Sequence, residues 1–387
     1  MRLMTQSLLF ACSLSFTYLA NAAQTKPDID AVTLEASVRK AAAQVMQQYN
    51  IPGMSIAVTA NGQQHFFNYG IASRDTRQAV SSDTLFEVGS ISKTFTAILA
   101  TYAQANGQLS LRDHPGQYLP QLKGSAFDQV NLISLATHTA GGFPLQVPDK
   151  VQNTEQLMSY LKAWQPQYPA GSKRTYANPS IGMLGMITAK AMNTSFEQAM
   201  EQQLFPKLGL TNSYLNVPAD KMKMYAQGYD AQDQPVRLQG GVLGNEAYGM
   251  KSSGKDLLRF VELNINPGRA DRTLAKAITD THVGYFKTGA MTQDLAWEQY
   301  PYPASLETLQ EGNSNKMAYE TQPAVAINPP LEPQQNVWIN KTGSTTGYGG
   351  YVAFVPEKKI GIVILANKKY PNEVRVKLAH EILQGLN

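Results

Sequence analysis

The chain has 387 residues, 43% hydrophobic and 16% charged, with 33 basic against 29 acidic side chains for a formal charge of +4. This composition excludes a disordered or collagen-like chain, and the length suits one large domain or two modest ones. No run of five or more basic residues occurs, so nucleic acid is not an expected partner.

The first residues read as a secretory signal over 1–22: a basic start at Arg2, an apolar stretch over 8–20, and a small-residue cleavage site at Ala20-Asn21-Ala22. An apolar stretch of roughly 13 residues is too short to span a bilayer, so the expected product is periplasmic, without stable membrane association. The single cysteine, Cys12, lies inside this signal. The mature chain, 23–387, would then carry neither a disulfide nor a thiolate–zinc site.

Leu34, Val38, Ala41, Ala42, Val45, Met46 and Tyr49 trace one face of a helix. Strands over 54–58 and 65–69 come next, joined by an Asn61-Gly62 hairpin turn. From about 86 to 280 the pattern is mostly helical, broken by loops. One helix is marked by Phe95, Ile98, Leu99 and Tyr102 on one apolar face, with Asn106-Gly107 as its stop. Another is suggested by Ile181, Leu184 and Ile187, after a turn at Pro169-Ala170-Gly171. Residues 301–336, rich in proline and polar side chains, read as a long surface excursion. Strands over 337–341, 351–355 and 360–366 and a closing helix over 373–386 complete the chain. Both ends thus supply antiparallel strands plus a helix, and the expected solution is one shared sheet. The α/β part would comprise 23–85 and 281–387, with the mostly helical part 86–280 inserted in it.

Ser90-Ile91-Ser92-Lys93 opens the helix that carries Phe95. A serine hydroxyl is a weak nucleophile at neutral pH and needs a nearby group to take its proton. Three residues along a helix, Lys93 falls on the face of Ser90, at the positive end of the helix dipole. The spacing alone is unspecific, since Ser37/Lys40, Ser159/Lys162 and Ser252/Lys255 share it. Ser90 is distinguished by two further motifs downstream, Tyr176-Ala177-Asn178 and then Lys341-Thr342-Gly343. Tyr-x-Asn recurs at Tyr214 and Tyr370, and Lys-Thr-Gly at Lys287. Lys341 is preferred because Val337-Trp338-Ile339 precedes it as a strand, while Lys287 reads as a surface residue.

The serine–lysine, tyrosine, lysine order resembles the penicillin-recognising serine enzymes, and more closely the class C (AmpC-type) β-lactamases. Phe86-Glu87-Val88-Gly89-Ser90, Pro144-Leu145-Gln146-Val147-Pro148-Asp149, Asn245-Glu246-Ala247-Tyr248-Gly249 and Leu365-Ala366-Asn367-Lys368 extend the likeness across the mature chain. The resemblance implies a β-lactamase/penicillin-binding-protein-like fold of the α/β + α class: an antiparallel sheet flanked by helices, with a mostly helical domain inserted and the active site in the cleft between. It implies hydrolysis of cephalosporins and penicillins through a Ser90 acyl-enzyme, and hence β-lactam resistance. The Ser90 and Ser344 backbone N–H groups would hold the oxyanion. Gln146 and Asn178 would bind the acylamino group, and Tyr248 would pack along the side-chain site. Asn372 and Arg375 would lie near the substrate carboxylate, and Thr342 and Gly343 beside the lactam.

Tyr176 is the candidate base. Bringing a phenol from about 10 to about 7 requires roughly 4 kcal/mol, which one ammonium at about 4 Å supplies at an effective dielectric near 20. Lys93 and Lys341 together could do so. Tyrosinate, neutral Lys93 or a proton shared between them all remain open as the base. No Ser-Asp-Asn and no G-x-S-x-G occurs, and the histidines at 65, 114, 138, 282 and 380 lack metal-ligand spacing. No cofactor, no metal and a monomer are therefore expected. His138 falls where such enzymes more often carry tyrosine. Rival readings are a D-alanyl-D-alanine carboxypeptidase, which would deacylate slowly, a carboxylesterase, and a non-catalytic lactam-binding protein.

Overall fold

The computed structural model describes residues 31–386, and the expected signal over 1–22 lies outside them. Nine strands form the principal sheet: β1 (Gly53–Ala60), β2 (Gln63–Gly70), β3 (Gly284–Thr288), β4 (Met291–Gln293), β5 (Glu298–Pro301), β6 (Val325–Leu331), β7 (Val337–Ser344), β8 (Gly349–Val355) and β9 (Ile360–Ala366). Their order is β6-β3-β4-β5-β7-β8-β9-β1-β2, and neighbouring strands run antiparallel. The two ends of the chain meet at β9 and β1, where Met54 faces Ala366 and Ala60 faces Ile360. At the hairpin from β1 to β2, Asn61 (φ +52°) and Gly62 (φ +85°) supply the two left-handed residues that a tight turn matched to strand twist requires.

β1, β8 and β9 are buried along their whole length because helices cover both faces of the sheet. Met54, Ile56, Val58, Ile360, Ile362 and Ile364 point to the face packed by the terminal helices α1 (Ala31–Tyr49) and α5 (Asn372–Gln384). Ala57, Val363 and Leu365 point the other way, into the core shared with α2 (Ser92–Ala105) and α4 (Gly254–Ile265). A further core holds α3 (Asn178–Ala191) against the loops and short helices around it, through Ile181, Leu184 and Ile187.

The helix carrying Phe95 is buried beyond its apolar face: eleven of the fourteen residues of α2 are buried. Phe95, Ile98 and Leu99 enter one core and Ala97, Ala100 and Ala103 the other. Its buried hydroxyls find acceptors, as in Thr101 Oγ1 donating to the Ala277 carbonyl at 2.8 Å. The Tyr102 face is apolar, but the opposite face is made of small residues, which also pack. One expectation is corrected: 301–336 is not a plain surface excursion. It contains two short helices, Leu306–Gly312 and Asn315–Tyr319, and then β6, the outermost strand of the sheet. Pro329 and Pro330 are tolerated in β6 because an edge strand can spare ladder N–H groups. Strands β3 to β5 also escape a purely sequential reading.

Candidate active site

Ser90 lies in a single 3₁₀ turn, Gly89–Ile91, that runs directly into α2. That turn abuts β7 backbone to backbone. A side chain on Gly89 (φ +52°) would come within 2.5 Å of the Ser344 nitrogen, and one on Gly343 would strike the Val88 carbonyl oxygen. Glycine at both positions lets the Ser90 and Ser344 amides border the same space, the arrangement an oxyanion needs.

Lys93, on the first turn of α2, is fully buried. Its Nζ donates to Ser90 Oγ at 2.8 Å, Asn178 Oδ1 at 2.7 Å and the Ala247 carbonyl at 2.9 Å. Asn178 opens α3 with Pro179 behind it, a residue suited to a first helical turn. Its Nδ2 donates to Gln146 Oε1 at 2.9 Å, and its backbone N–H to the Leu145 carbonyl at 2.8 Å, which fixes the loop carrying Gln146.

Tyr176 sits between the short strand Lys173–Arg174 and α3, its ring surrounded by cations. Lys93 Nζ and Lys341 Nζ each lie 5.1 Å from the ring centre, and Arg174 Cζ lies 5.3 Å from it. Burial pushes the phenol up. The Lys341 and Lys93 charges and a hydrogen bond with the Ser90 hydroxyl more than reverse this, bringing it down to about 8 against the opposing pull of Glu298. Burial lowers the Lys93 ammonium below its usual range. Lys341 moves the other way: burial would lower it, but Glu298 and Tyr176 raise it above the usual range.

Glu298 and Arg174 were not legible as site residues. Glu298 opens β5, cross-strand from Asn340 and therefore beside Lys341. Its Oε1 lies 3.2 Å from Lys341 Nζ and 3.5 Å from Arg174 Nη2, and its Oε2 accepts from Asn340 Nδ2 at 3.2 Å. Arg174 also donates to Gln293 Oε1 at 2.7 Å and the Met317 carbonyl at 2.8 Å. A buried carboxylate between two cations, with its remaining lone pair filled, is compensated. The sequence hint was a lone glutamate in the aromatic run Trp297-Glu298-Gln299-Tyr300.

Ser90, Arg174, Tyr176, Asn178, Glu298 and Lys341 line a cleft of about 950 Å³, together with Gln146, Tyr248, Thr342, Gly343, Ser344 and Asn372. Of the twelve residues singled out from the sequence, eleven line this cleft, and Lys93 lies buried beneath it, bonded to Ser90 and Asn178. Arg375 borders the cleft but is fully buried and committed elsewhere. Its Nη1 donates to the Gly343 carbonyl and Ser344 Oγ, both at 2.8 Å, and its Nη2 to the Tyr370 carbonyl. This guanidinium braces β7 from behind Gly343 and Ser344. Asn372 Nδ2 is tied to the Asn313 carbonyl at 3.3 Å. The duplicate lysine, Lys287, is exposed on β3. Among the described residues, no three His, Cys, Asp or Glu side chains group as they would around a metal ion.

The Beta-lactamase family matches this chain over residues 38–387. A β-lactamase of Lysobacter lactamgenus is 54% identical over 97% of both chains. A structure titled β-lactamase/D-alanine carboxypeptidase, from Pseudomonas syringae, is 60% identical with a TM-score of 0.90, covering 91% of this chain and 99% of that one. A class C β-lactamase solved in complex with cefoxitin is 51% identical with a TM-score of 0.88, again over 91% and 99%.

Proposed function

Because this chain belongs to the β-lactamase family, and is a class C serine hydrolase of β-lactam amides, we propose a role for each residue of its cleft. Ser90 Oγ attacks the lactam carbonyl carbon. Its proton passes to the Tyr176 phenolate, whose hydrogen bond with the Ser90 hydroxyl and position among three cations support it as the base. Two Lys93 protons are committed to Asn178 and Ala247, and the third meets Ser90 Oγ, where the ammonium stabilises the developing alkoxide. The Ser90 and Ser344 N–H groups hold the oxyanion of the tetrahedral intermediate. As the ring C–N bond breaks, the proton on Tyr176 moves to the leaving nitrogen. A water then gives a proton to Tyr176 and its oxygen to the acyl carbon, and Ser90 leaves with that proton.

Gln146 and Asn178 receive the acylamino side chain, Tyr248 packs along it, and Thr342, Ser344 and Asn372 face the substrate carboxylate, with Arg375 bracing Ser344. Cephalosporins are the preferred substrates. The chain acts in the periplasm after removal of 1–22, and every group invoked comes from a single chain, which a working monomer supplies. No described helix is long and apolar enough to cross a membrane.

The observation that carries this reading is the cluster around Ser90: Lys93 Nζ donates to its Oγ at 2.8 Å, and Lys93 and Lys341 each lie 5.1 Å from the Tyr176 ring centre. Sustained turnover of a chromogenic cephalosporin by the mature protein, absent in Ser90→Ala, is the expected result. A single stoichiometric burst would instead identify a peptidase that acylates without activating water, and would overturn the role of Tyr176 in deacylation.

A further inference from the structure

His138 is buried, and the steps above do not use it. It adopts φ +59°, in the left-handed region, in the turn after the short helix Leu132–Ala136. From there it grips the chain on both sides of Tyr176. Its carbonyl accepts from the Thr175 N–H at 2.9 Å, and its Nδ1 accepts from the Ala177 N–H at 3.3 Å. Between those two bonds its ring lies on the Tyr176 ring, with centroids 4.5 Å apart and planes at 43°. An imidazole whose Nδ1 accepts carries its proton on Nε2 and is neutral.

We infer that His138 is a positioning residue for Tyr176, which holds the phenol oxygen between Lys341, Lys93 and Ser90 by bracketing Thr175 and Ala177. The charged groups around the ring favour this state. Arg174, Lys93 and Lys341 face it from three separate elements, and burial together with their charges holds the imidazole well below its usual range. A protonated ring would add a fourth cation and turn Nδ1 from an acceptor into a donor pointed at the Ala177 N–H. The neutral ring avoids both. The role rests on geometry and on the reading of Tyr176 as the base.

Two substitutions compatible with the left-handed backbone separate the acceptor from the ring. His138→Asn loses the ring but can place Oδ1 where Nδ1 stood, and asparagine tolerates this φ. His138→Gly fits the same φ and loses both. Both are read against the unmodified enzyme by kcat, KM and the acid limb of kcat/KM, well below their melting temperatures. His138→Gly should lose about 10-fold or more in kcat with little change in KM, because a misplaced base weakens the chemical step. Its acid limb should move to higher pH as the phenol leaves the lysines. His138→Asn should keep the limb in place and kcat within about 3-fold, since the bond to Ala177 that aligns the base survives.

A His138→Gly enzyme with parental kcat and acid limb would overturn the proposal, even if it melts earlier. So would equal losses in both variants, since the Nδ1 bond would then not be what positions the base. Absence of an acid limb near pH 8 in the unmodified enzyme would instead refute the assignment of Tyr176 as the base, and is visible before any variant is made.

Discussion

Replacing Lys341 by methionine removes a charge from Tyr176 while keeping most of the side chain's bulk. The ammonium lies 5.1 Å from the ring centre. At an effective dielectric near 20, a unit charge at that distance is worth about 3 kcal/mol, or about 2 pH units at about 1.4 kcal/mol per unit. With the phenol starting at about 8, its acid limb in kcat/KM should move to roughly pH 10. Near neutral pH the ionised fraction then falls about 100-fold, and the rate with it. Glu298→Gln tests the same field with the opposite sign. Glu298 raises Tyr176, so its neutral amide should move the limb to lower pH. Initial rates with a chromogenic cephalosporin from about pH 5 to pH 10.5 measure both variants against the parent. If Lys341→Met slows hydrolysis uniformly and leaves the limb in place, Lys341 serves binding alone and the electrostatic account of Tyr176 is wrong. Shifts of the same sign in both variants would refute it equally.

Gly343→Ala would drive a methyl group into the Val88 carbonyl and part β7 from the Ser90 turn. A displaced oxyanion donor costs about 100-fold or more in kcat, whereas parental turnover would mean that the two backbones need not touch. Phe260 stacks on Phe95 with ring centres 3.9 Å apart, on the far side of α2 from the cleft. Phe260→Ala should cost about 3–5 kcal/mol in urea unfolding, with kcat nearly unchanged at low temperature. A large loss of kcat there would show that the core sets the position of Ser90 directly. Asp233 accepts from Lys368 Nζ at 2.5 Å and Arg74 Nη2 at 2.9 Å, and these bonds depress its carboxyl from 3.8 to about 2. A folded value below the unfolded one contributes stability that is present above about pH 4 and lost as pH falls through about 2. Asp233→Asn should therefore flatten the acid stability curve across that window. Parallel curves would deny the bonds any role in solution.

The nucleophile was legible because its cues are local: a serine and a lysine three apart at a helix start, with an apolar helix behind them. Tyr176 and Lys341 were legible only through their order and flanking blocks, since both motifs recur in the chain. One sheet shared by the two ends was expected from the strands and helix at each end, but the pairing of β1 with β9 came only from the structure. The edge strand β6 was not expected, because its prolines and polar residues carry the signature of a loop. Glu298 was missed for a related reason. Its partners Lys341 and Arg174 are 43 and 124 positions away, and only strand pairing sets them beside it.

By itself the sequence determined the residue types that chemistry requires, their order, and the helices and central strands that carry them, since those depend on nearest-neighbour patterns. The tertiary structure decided their charge states and aim. The direction in which Tyr176 titrates is set by burial against Lys341, Lys93, the Ser90 hydroxyl and Glu298, and all of these depend on distance through space. The closeness of Ser90 to Ser344 depends likewise on two glycines meeting across 254 positions of chain. So does the neutral His138 beneath the phenol, an ordinary histidine until the fold brings Thr175 and Ala177 to either side of it.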